Sequence, residues 1–160
     1  MSYFKAGDTI SGQEGWATMV VQDESGSSTV EDLFMIKNIE ATCTINKTGI
    51  RTLGKRGEQH KPNGWTGAGT ATLYYATSRF REMAIKYMKT GKPVYFDITL
   101  INDDPGSSIG KQTTLLRTCT LDSVIMGKLD VDSEVLDENI SFTFDDAELL
   151  DEFGVPVLGS

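Results

Sequence analysis

Apolar and polar residues alternate with a period of two in several parts of this chain, and this alternation constrains the fold more than any other feature. It is clearest within Leu33–Lys47, where apolar side chains take every second position, at Ile39, Ala41, Cys43 and Ile45. Because successive side chains of a β-strand point to opposite faces, we predict a strand with one buried and one solvated face.

The same pattern recurs along the chain. It predicts further strands at Trp16–Val21, Thr70–Thr77, Val94–Ile101, Thr113–Met126 and Val135–Phe144. The alternation in the fourth of these changes phase near Asp122 and Ser123, which indicates a β-bulge. The residues between the strands, including Asn102–Gly106, have the composition of turns.

One segment has the periodicity of an α-helix instead. Within Arg79–Thr90, larger and apolar side chains follow the i, i+3, i+4, i+7, i+8 spacing, at Phe80, Met83, Ala84, Tyr87 and Met88. Ser78 is a candidate N-cap, and Gly91 suits the position after the last turn. Five or six strands and one helix predict a mainly β fold: an antiparallel β-sandwich or partly open barrel with one flanking α-helix.

Four segments show neither pattern. Residues 1–15 are predicted to be an extended N-terminal arm, Asp23–Asp32 a polar turn, and 148–160 a C-terminal tail whose few apolar residues dock loosely. Residues 48–69 carry six glycines and five Lys, Arg or His side chains, so we predict a long structureless loop. Loops of that length in compact domains are usually functional or disordered.

Length and charge limit the possible functions. A chain of 160 residues is the size of one domain, so 1–160 is treated as a single unit. Its net charge of -8 does not suit a protein that grips nucleic acid, because such binding depends on cations that neutralise phosphates. The chain contains no stretch of about 20 apolar residues and no secretory signal at residues 1–15. We therefore expect a cytosolic site of synthesis, and free thiols at Cys43 and Cys119.

Three motifs approach known chemistry without completing it. Residues 49–55 spell the GxxxxGK of a phosphate-binding loop, but Arg56 replaces the hydroxyl residue that would hold Mg²⁺. Residues 130–134 begin like a calcium loop, but Val135 and Ser141 stand where Gly and Glu are needed. The single histidine, His60, has no evident nucleophile or orienting acid nearby. We predict no enzyme activity, no metal site and no cofactor.

Small hydroxyl side chains dominate the polar side of the predicted strands. They stand at alternate positions opposite apolar residues: Thr42, Thr44, Thr70, Thr72, Thr118, Thr120, Ser141 and Thr143. Glu40 and Asp122 are the acidic exceptions. Thr suits any solvent-facing strand, but ordinary exposed strands also use Lys, Glu and Arg. The pattern therefore leaves open either an ordinary solvated face or a smooth, weakly interacting surface.

Over nearly its whole length the sequence resembles the tail tube proteins of contractile-tailed phages and phage-like particles. The resemblance rests on the order and spacing of short segments at 10–15, 40–41, 46–47, 53–56, 60–61, 67–72, 128–134 and 142–144. It is weak after Asp145.

The resemblance implies a structural protein that forms hexameric rings stacked into a hollow tube. It implies partners in the tail sheath, tape measure, baseplate and terminator proteins, and DNA that passes through without specific binding. The protein would be made in the bacterial host cytoplasm and reside in a virion tail or a phage-like particle. The tube would conduct DNA or puncture the host envelope.

Two surfaces follow as site predictions. We expect the threonine-rich faces, with Glu40 and Asp122, to line the bore. We expect loop 48–69 to contact the adjacent ring through Arg51, Lys55, Arg56, His60, Lys61 and Trp65. This loop has a net charge of +3, so the rest of the chain carries -11. The competing interpretation is a monomeric β-barrel binding module that presents loop 48–69 to a protein partner.

Overall fold

A computed structural model describes residues 1–22, 26, 28–33 and 35–160. After a short 3₁₀ helix at Ala6–Asp8, the chain forms eight strands and one α-helix among these residues. In chain order they are β1 Gly15–Gln22, β2 Ser28–Asp32, β3 Ile36–Ile50, β4 Gln59–Tyr74, α1 Arg79–Thr90, β5 Phe96–Asp103, β6 Lys111–Val124, β7 Asp137–Phe144 and β8 Asp146–Asp151. The predicted mainly β fold with one helix is confirmed.

All the strands belong to one antiparallel sheet with the order β2-β1-β5-β6-β7-β4-β3, and β8 is added beside β6. Strand β6 belongs to two halves of this sheet, because its first part pairs with β5 and β8 and its second part pairs with β7. Near the end of the first part Thr118 has a φ of 53°, and its N–H donates to an Asp97 carboxylate oxygen at 2.9 Å. This left-handed residue marks the bend that lets the two halves face each other.

The core lies between the two halves. From the first half come Met19, Phe96 and Ile98, and from the second come Leu73 and Phe142, all at most 1% exposed. The rings of Phe96 and Phe142 meet edge to face with centroids 6.5 Å apart. Alternation at period two therefore does bury one face of β1 and β7. In β3 the predicted apolar face is only partly covered, because Ile39 and Ala41 are half-buried while Cys43 and Ile45 are exposed.

Two glycines in β4 make room for this core. A Cβ atom on Gly69 would overlap the Phe142 ring, and one on Gly67 would overlap the Phe144 ring. Each glycine stands directly opposite its phenylalanine in the β4–β7 register. The aromatic rings therefore lie flat across β4, at positions where no other residue type would fit without displacing them.

Helix α1 has the predicted bounds, but only part of its predicted contact face is buried. Phe80 and Met83 are buried, whereas Tyr87 and Met88 are exposed. Gly91 ends the helix in the left-handed conformation. Ser78 is the N-cap residue, as predicted, and its carbonyl accepts the Glu82 N–H at 2.9 Å, but its hydroxyl makes no capping bond. The Thr77 hydroxyl accepts the Arg79 N–H.

A buried ion pair attaches this helix to the sheet. Arg81 donates to Glu138 on β7 at 2.5 Å and also to the carbonyls of Ile125 and Thr77. Its guanidinium lies over the Tyr75 ring, 4.4 Å from the centroid. Glu138 is fully buried. Because a lone buried carboxylate is costly, the pair fixes the position of the helix.

Both ends of the chain are attached to the turn after β5. The Asp8 carboxylate accepts from the Ser108 hydroxyl at 2.6 Å, and this bond lowers the pKa of Asp8. Gly154 donates to the Ile109 carbonyl at 2.7 Å, and Tyr3 pairs with Gly159. The N-terminal arm thus contains a helical turn instead of being extended throughout. The tail begins with β8 paired to β6, although its side chains are exposed.

The largest departure from the sequence predictions is at residues 48–69. Strand β3 continues to Ile50 and β4 begins at Gln59, so only residues 51–58 lack strand structure and the predicted structureless loop is wrong. These strand ends are solvated on both faces, so they have no hydrophobic alternation to reveal them. Part of the predicted turn Asp23–Asp32 also forms a strand, β2; Asp23, Glu24, Ser25 and Ser27 lie outside the described residues.

Candidate assembly surfaces

Eight of the ten residues predicted to line a bore lie on one face of the second half-sheet. Strand register places side chains from β3, β4, β7 and the second part of β6 in rows, because residues directly opposite in an antiparallel pair share a face. One row contains Glu40, Thr70 and Ser141, and the next contains Thr42, Ala68 and Thr143. We call this surface the threonine face; its predicted members are Glu40, Thr42, Thr44, Thr70, Thr72, Thr120, Ser141 and Thr143.

Hydrogen bonds between neighbouring hydroxyls link the strands across this face. The Oγ1 atoms of Thr120 and Thr143 lie 3.1 Å apart, and the Oγ atoms of Ser123 and Ser141 lie 2.7 Å apart. Cross-strand register also adds five members that sequence reasoning missed: Asn38, Thr66, Ala68, Ser123 and Asn139. Of these thirteen positions Glu40 alone is ionisable. The register continues to a row of Tyr74 and Asp137, where Lys37 pairs with the Asp137 carboxylate at 2.9 Å, so the face is polar with a small net charge.

The other two predicted members do not join these rows. Thr118 is the left-handed residue at the bend of β6, before the β6–β7 pairing begins. Asp122 lies in the predicted bulge, which the register shift between Leu121 and Ser123 confirms, and it has no partner residue in β7. A bulge residue is displaced from the ladder, so alternation along the sequence does not extend through it.

The threonine face ends at two strand edges. In the described part of the chain β3 pairs with β4 alone, and Thr120–Val124 of β6 pair with β7 alone. Each edge therefore offers backbone N–H and C=O groups that could extend the sheet.

A long hairpin extends beyond the body of the protein. Pairing between β4 and β7 stops at Gly67 and Phe144, so residues 45–65 pair only among themselves; we call them the basic hairpin. All residues from 42 to 66 are exposed. At about 3.4 Å per residue, Gln59 lies roughly 25 Å beyond Gly67.

The six residues predicted to contact an adjacent ring are distributed along this hairpin. Arg51, Lys55 and Arg56 lie together in residues 51–58, which we call the hairpin tip. His60 and Lys61 lie next to the tip on β4, but as neighbours in a strand they point to opposite faces. Trp65 lies apart from these cations at the hairpin base.

The base of the hairpin is held by an aromatic contact. The Trp65 ring lies 6.0 Å from that of Phe144, and Trp65 is still 43% exposed. Closer to the tip, Asn63 donates to the Thr48 hydroxyl at 2.7 Å, beside the left-handed Gly64. Because an isolated two-stranded hairpin is only marginally stable in water, these contacts give it local support.

The motifs near the hairpin do not form a reactive site. The GxxxxGK segment spans the end of β3 and the turn, and it is followed by β4 instead of the helix that a phosphate-binding loop requires. Among the described residues there is no group of three His, Cys, Asp or Glu side chains that could hold a metal ion. No helix of the described residues is long and apolar enough to cross a membrane.

Comparison with known proteins gives matches over most of this chain. A sequence profile described as phage tail tube protein matches residues 2–151. The phage-like element PBSX protein XkdM of Bacillus subtilis (strain 168) is 37% identical over 145 residues, which are 91% of this chain and 92% of that protein.

Solved structures share the fold at low sequence identity. A chain of the sheath/tube terminator of an extracellular contractile injection system in its extended state has a TM-score of 0.67 at 12% identity, covering 92% of this chain and all of that one. A chain from the SPP1 tail tube has a TM-score of 0.59 at 11% identity, covering 88% and 78%.

Proposed function

Because the chain belongs to the phage tail tube protein family and is a structural protein rather than an enzyme, we propose that it assembles into hexameric rings that stack into a hollow tube. The observation that carries this proposal is the second half-sheet, which presents a nearly uncharged face between two unpaired strand edges. Such a sheet is completed by copies of itself arranged around an axis.

The strand directions allow this closure. Across the order β6-β7-β4-β3 each strand runs opposite to the previous one, so β3 and the second part of β6 also run in opposite directions. If β3 of one copy lies beside β6 of the next, the new pair is antiparallel, as are all the others. Each copy then contributes four strands to one closed barrel, which leaves no exposed edge.

The threonine face would form the inner wall of this barrel. A ring of six chains carries a net charge of -48 if every chain carries -8. The wall itself would contribute one Glu40 per copy among short hydroxyl and amide groups. Phosphates are bound mainly by cations, so passing DNA would be repelled weakly and would slide instead of being held.

Stacking would depend on the basic hairpin. It contains five Lys or Arg residues and one Glu, a net charge of +4, whereas the rest of the chain carries -12. This separation of charge along one subunit favours head-to-tail stacking and gives the stack a direction. The hairpin of one ring would therefore reach the acidic body of a subunit in the next.

Other tail components follow from the same assignment. The structural relatives come from sheath–tube, terminator, cap and baseplate assemblies. We infer corresponding partners here: a sheath, a tape measure protein, a baseplate and a terminator. The protein would be made in the bacterial cytoplasm and act in a virion tail or a phage-like particle, where the tube conducts DNA or punctures the envelope.

Electron microscopy of the purified protein at increasing concentration tests this proposal. We expect rings and tubes for the natural sequence, and folded subunits without tubes for Arg56→Glu/Lys61→Glu. The matched control is Lys89→Glu/Lys92→Glu, which makes the same change in charge at and just after the C-terminal end of α1 and should still form tubes. A natural protein that stays at 17.5 kDa at all concentrations would favour a monomeric binding module instead.

A further inference from the structure

A loop at the end of the sheet opposite the basic hairpin exposes apolar side chains to an unusual degree. Residues 125–136 connect β6 to β7, and we call them the acidic loop. Leu129 and Val131 are both 99% exposed, and Val135 is 61% exposed. Aliphatic side chains that are largely exposed and clustered in one short segment indicate a surface that another chain covers.

Charged side chains surround these aliphatic groups. Asp130, Asp132 and Glu134 alternate with them, and with Lys128 the loop has a net charge of -2. The Lys128 amine is already bonded to the Asp137 carbonyl at 3.0 Å. The outer part of the loop is therefore apolar at its centre and negative at its margin.

The loop has a defined shape that could receive a partner without large rearrangement. The Asp132 N–H donates to the Asp130 carboxylate at 3.0 Å, and the Ser133 hydroxyl donates to the Val135 carbonyl at 2.8 Å. Its last residue, Leu136, accepts from the Tyr75 N–H at 2.9 Å. A surface held in this way loses little conformational freedom when it binds.

The hairpin tip has the complementary arrangement. Leu53 is fully exposed there, and the cations Arg51, Lys55 and Arg56 surround it in sequence. One surface thus offers an aliphatic centre with a positive margin, and the other an aliphatic centre with a negative margin. Complementary charge around an apolar contact gives both affinity and orientation.

We propose that the acidic loop of one subunit receives the hairpin tip of a second copy in the next ring. This inference rests on the proposed stacking and specifies the surface that accepts the hairpin. The two surfaces cannot meet within one chain: β4 alone runs 16 residues from the hairpin tip towards the opposite end, which is roughly 50 Å of strand. Any contact between them must therefore join two molecules.

Disulfide cross-linking tests the contact directly. The variant Leu53→Cys/Leu129→Cys is made with Cys43→Ser, because Cys43 is the exposed natural thiol and Cys119 is buried. A disulfide needs Cα atoms within about 7 Å, so mild oxidation of assembled tubes should yield a ladder of covalent multimers on denaturing gels. The control Leu53→Cys/Leu150→Cys, with its second thiol on exposed β8, should give no ladder.

Charge reversal separates this inference from the proposed function. We expect Asp132→Lys/Glu134→Lys to reduce tube formation at least tenfold, whereas the control Asp145→Lys/Glu152→Lys should form tubes normally. Combining the first variant with Arg51→Glu/Lys55→Glu should restore tubes, because the charges of the acidic loop and of the hairpin tip are then both reversed and again opposite in sign.

The outcomes are distinguishable. Suppose that the natural protein and the acidic-loop variant both form tubes and that no ladder of covalent multimers appears. The acidic loop is then not the surface that receives the hairpin tip, while the proposed tube function stands. If the natural protein forms no rings or tubes, the proposed function itself is wrong.

Discussion

Replacing Gly69 by alanine tests the central packing feature of the second half-sheet. A Cβ atom there would overlap the Phe142 ring and approach the Glu40 carbonyl at 3.0 Å. The ring cannot move aside freely, because Phe142 is fully buried and Phe96 packs against it with centroids 6.5 Å apart. We therefore expect the added methyl group to be accommodated only by strain in the core.

The magnitude follows from two opposing effects. Overpacking of a filled core costs about 1–3 kcal/mol. Alanine also restricts the unfolded chain, which offsets about 0.4–1 kcal/mol of that cost. We expect a net loss of about 1–2 kcal/mol in the free energy of unfolding, or a decrease of roughly 2–8 °C in Tm for a domain of this size.

Thermal and urea unfolding of Gly69→Ala provide the measurement, with Gly127→Ala as the matched control. A Cβ atom on Gly127 has no neighbour within 4 Å, so that variant should be neutral or slightly more stable. In the double variant Gly69→Ala/Phe142→Leu, the smaller side chain should remove the clash, so the two losses should be less than additive. Equal stability of the Gly69 and Gly127 variants, or strictly additive losses, would refute this account.

Three other predictions concern separate features. Arg81→Met removes the cation from the buried carboxylate on β7, so we expect a loss of about 3–5 kcal/mol in unfolding free energy by urea titration. Burial raises the pKa of the Cys119 thiol to about 12, so a thiol reagent at pH 8 should label Cys43 alone until the protein is unfolded. The Ser108 hydrogen bond lowers the pKa of Asp8 in the folded protein below its usual 3.8. The ionised carboxylate therefore stabilises the fold above pH 3.8, and this stabilisation is lost as the pH falls through the pKa of Asp8 in the folded protein. Stability should therefore decrease less between pH 6 and pH 3 in Ser108→Ala than in the natural protein, and an equal decrease would contradict this.

Much of the fold could be predicted because burial on one side leaves a local record in the sequence. The alternation around Ile39 and Cys43 predicts a half-buried strand. The structure places β3 there, with Ile39 half-buried but Cys43 exposed. The helix Arg79–Thr90 has the predicted bounds because its periodicity and the glycine after it are local signals. Ser78 shows the limit of such reasoning, since it takes the predicted N-cap position but its hydroxyl does not accept a helical N–H.

The basic hairpin could not be predicted from local pattern. Its strands are exposed on both faces, so burial imposes no alternation of apolar and polar residues at period two. Its glycines and its proline also give it the composition of a loop. What holds it in strand form is backbone pairing between β3 and β4, such as that of Thr48 with Lys61, which is invisible in either segment alone.

The sequence by itself determined which side chains are small and polar, where the helix lies, and that cations are concentrated in one segment of an acidic chain. These properties depend on residues near one another along the chain. Only the tertiary structure decided that the hydroxyl-bearing residues of four strands form one face, that Thr118 and Asp122 fall outside its rows, and that the hairpin and the acidic loop lie at opposite ends of the sheet. The physical reason is that strand register and chain bends bring together residues that are distant in sequence. The backbone hydrogen bonds that fix this register are the same for nearly all residue types, so they leave no local pattern in the sequence.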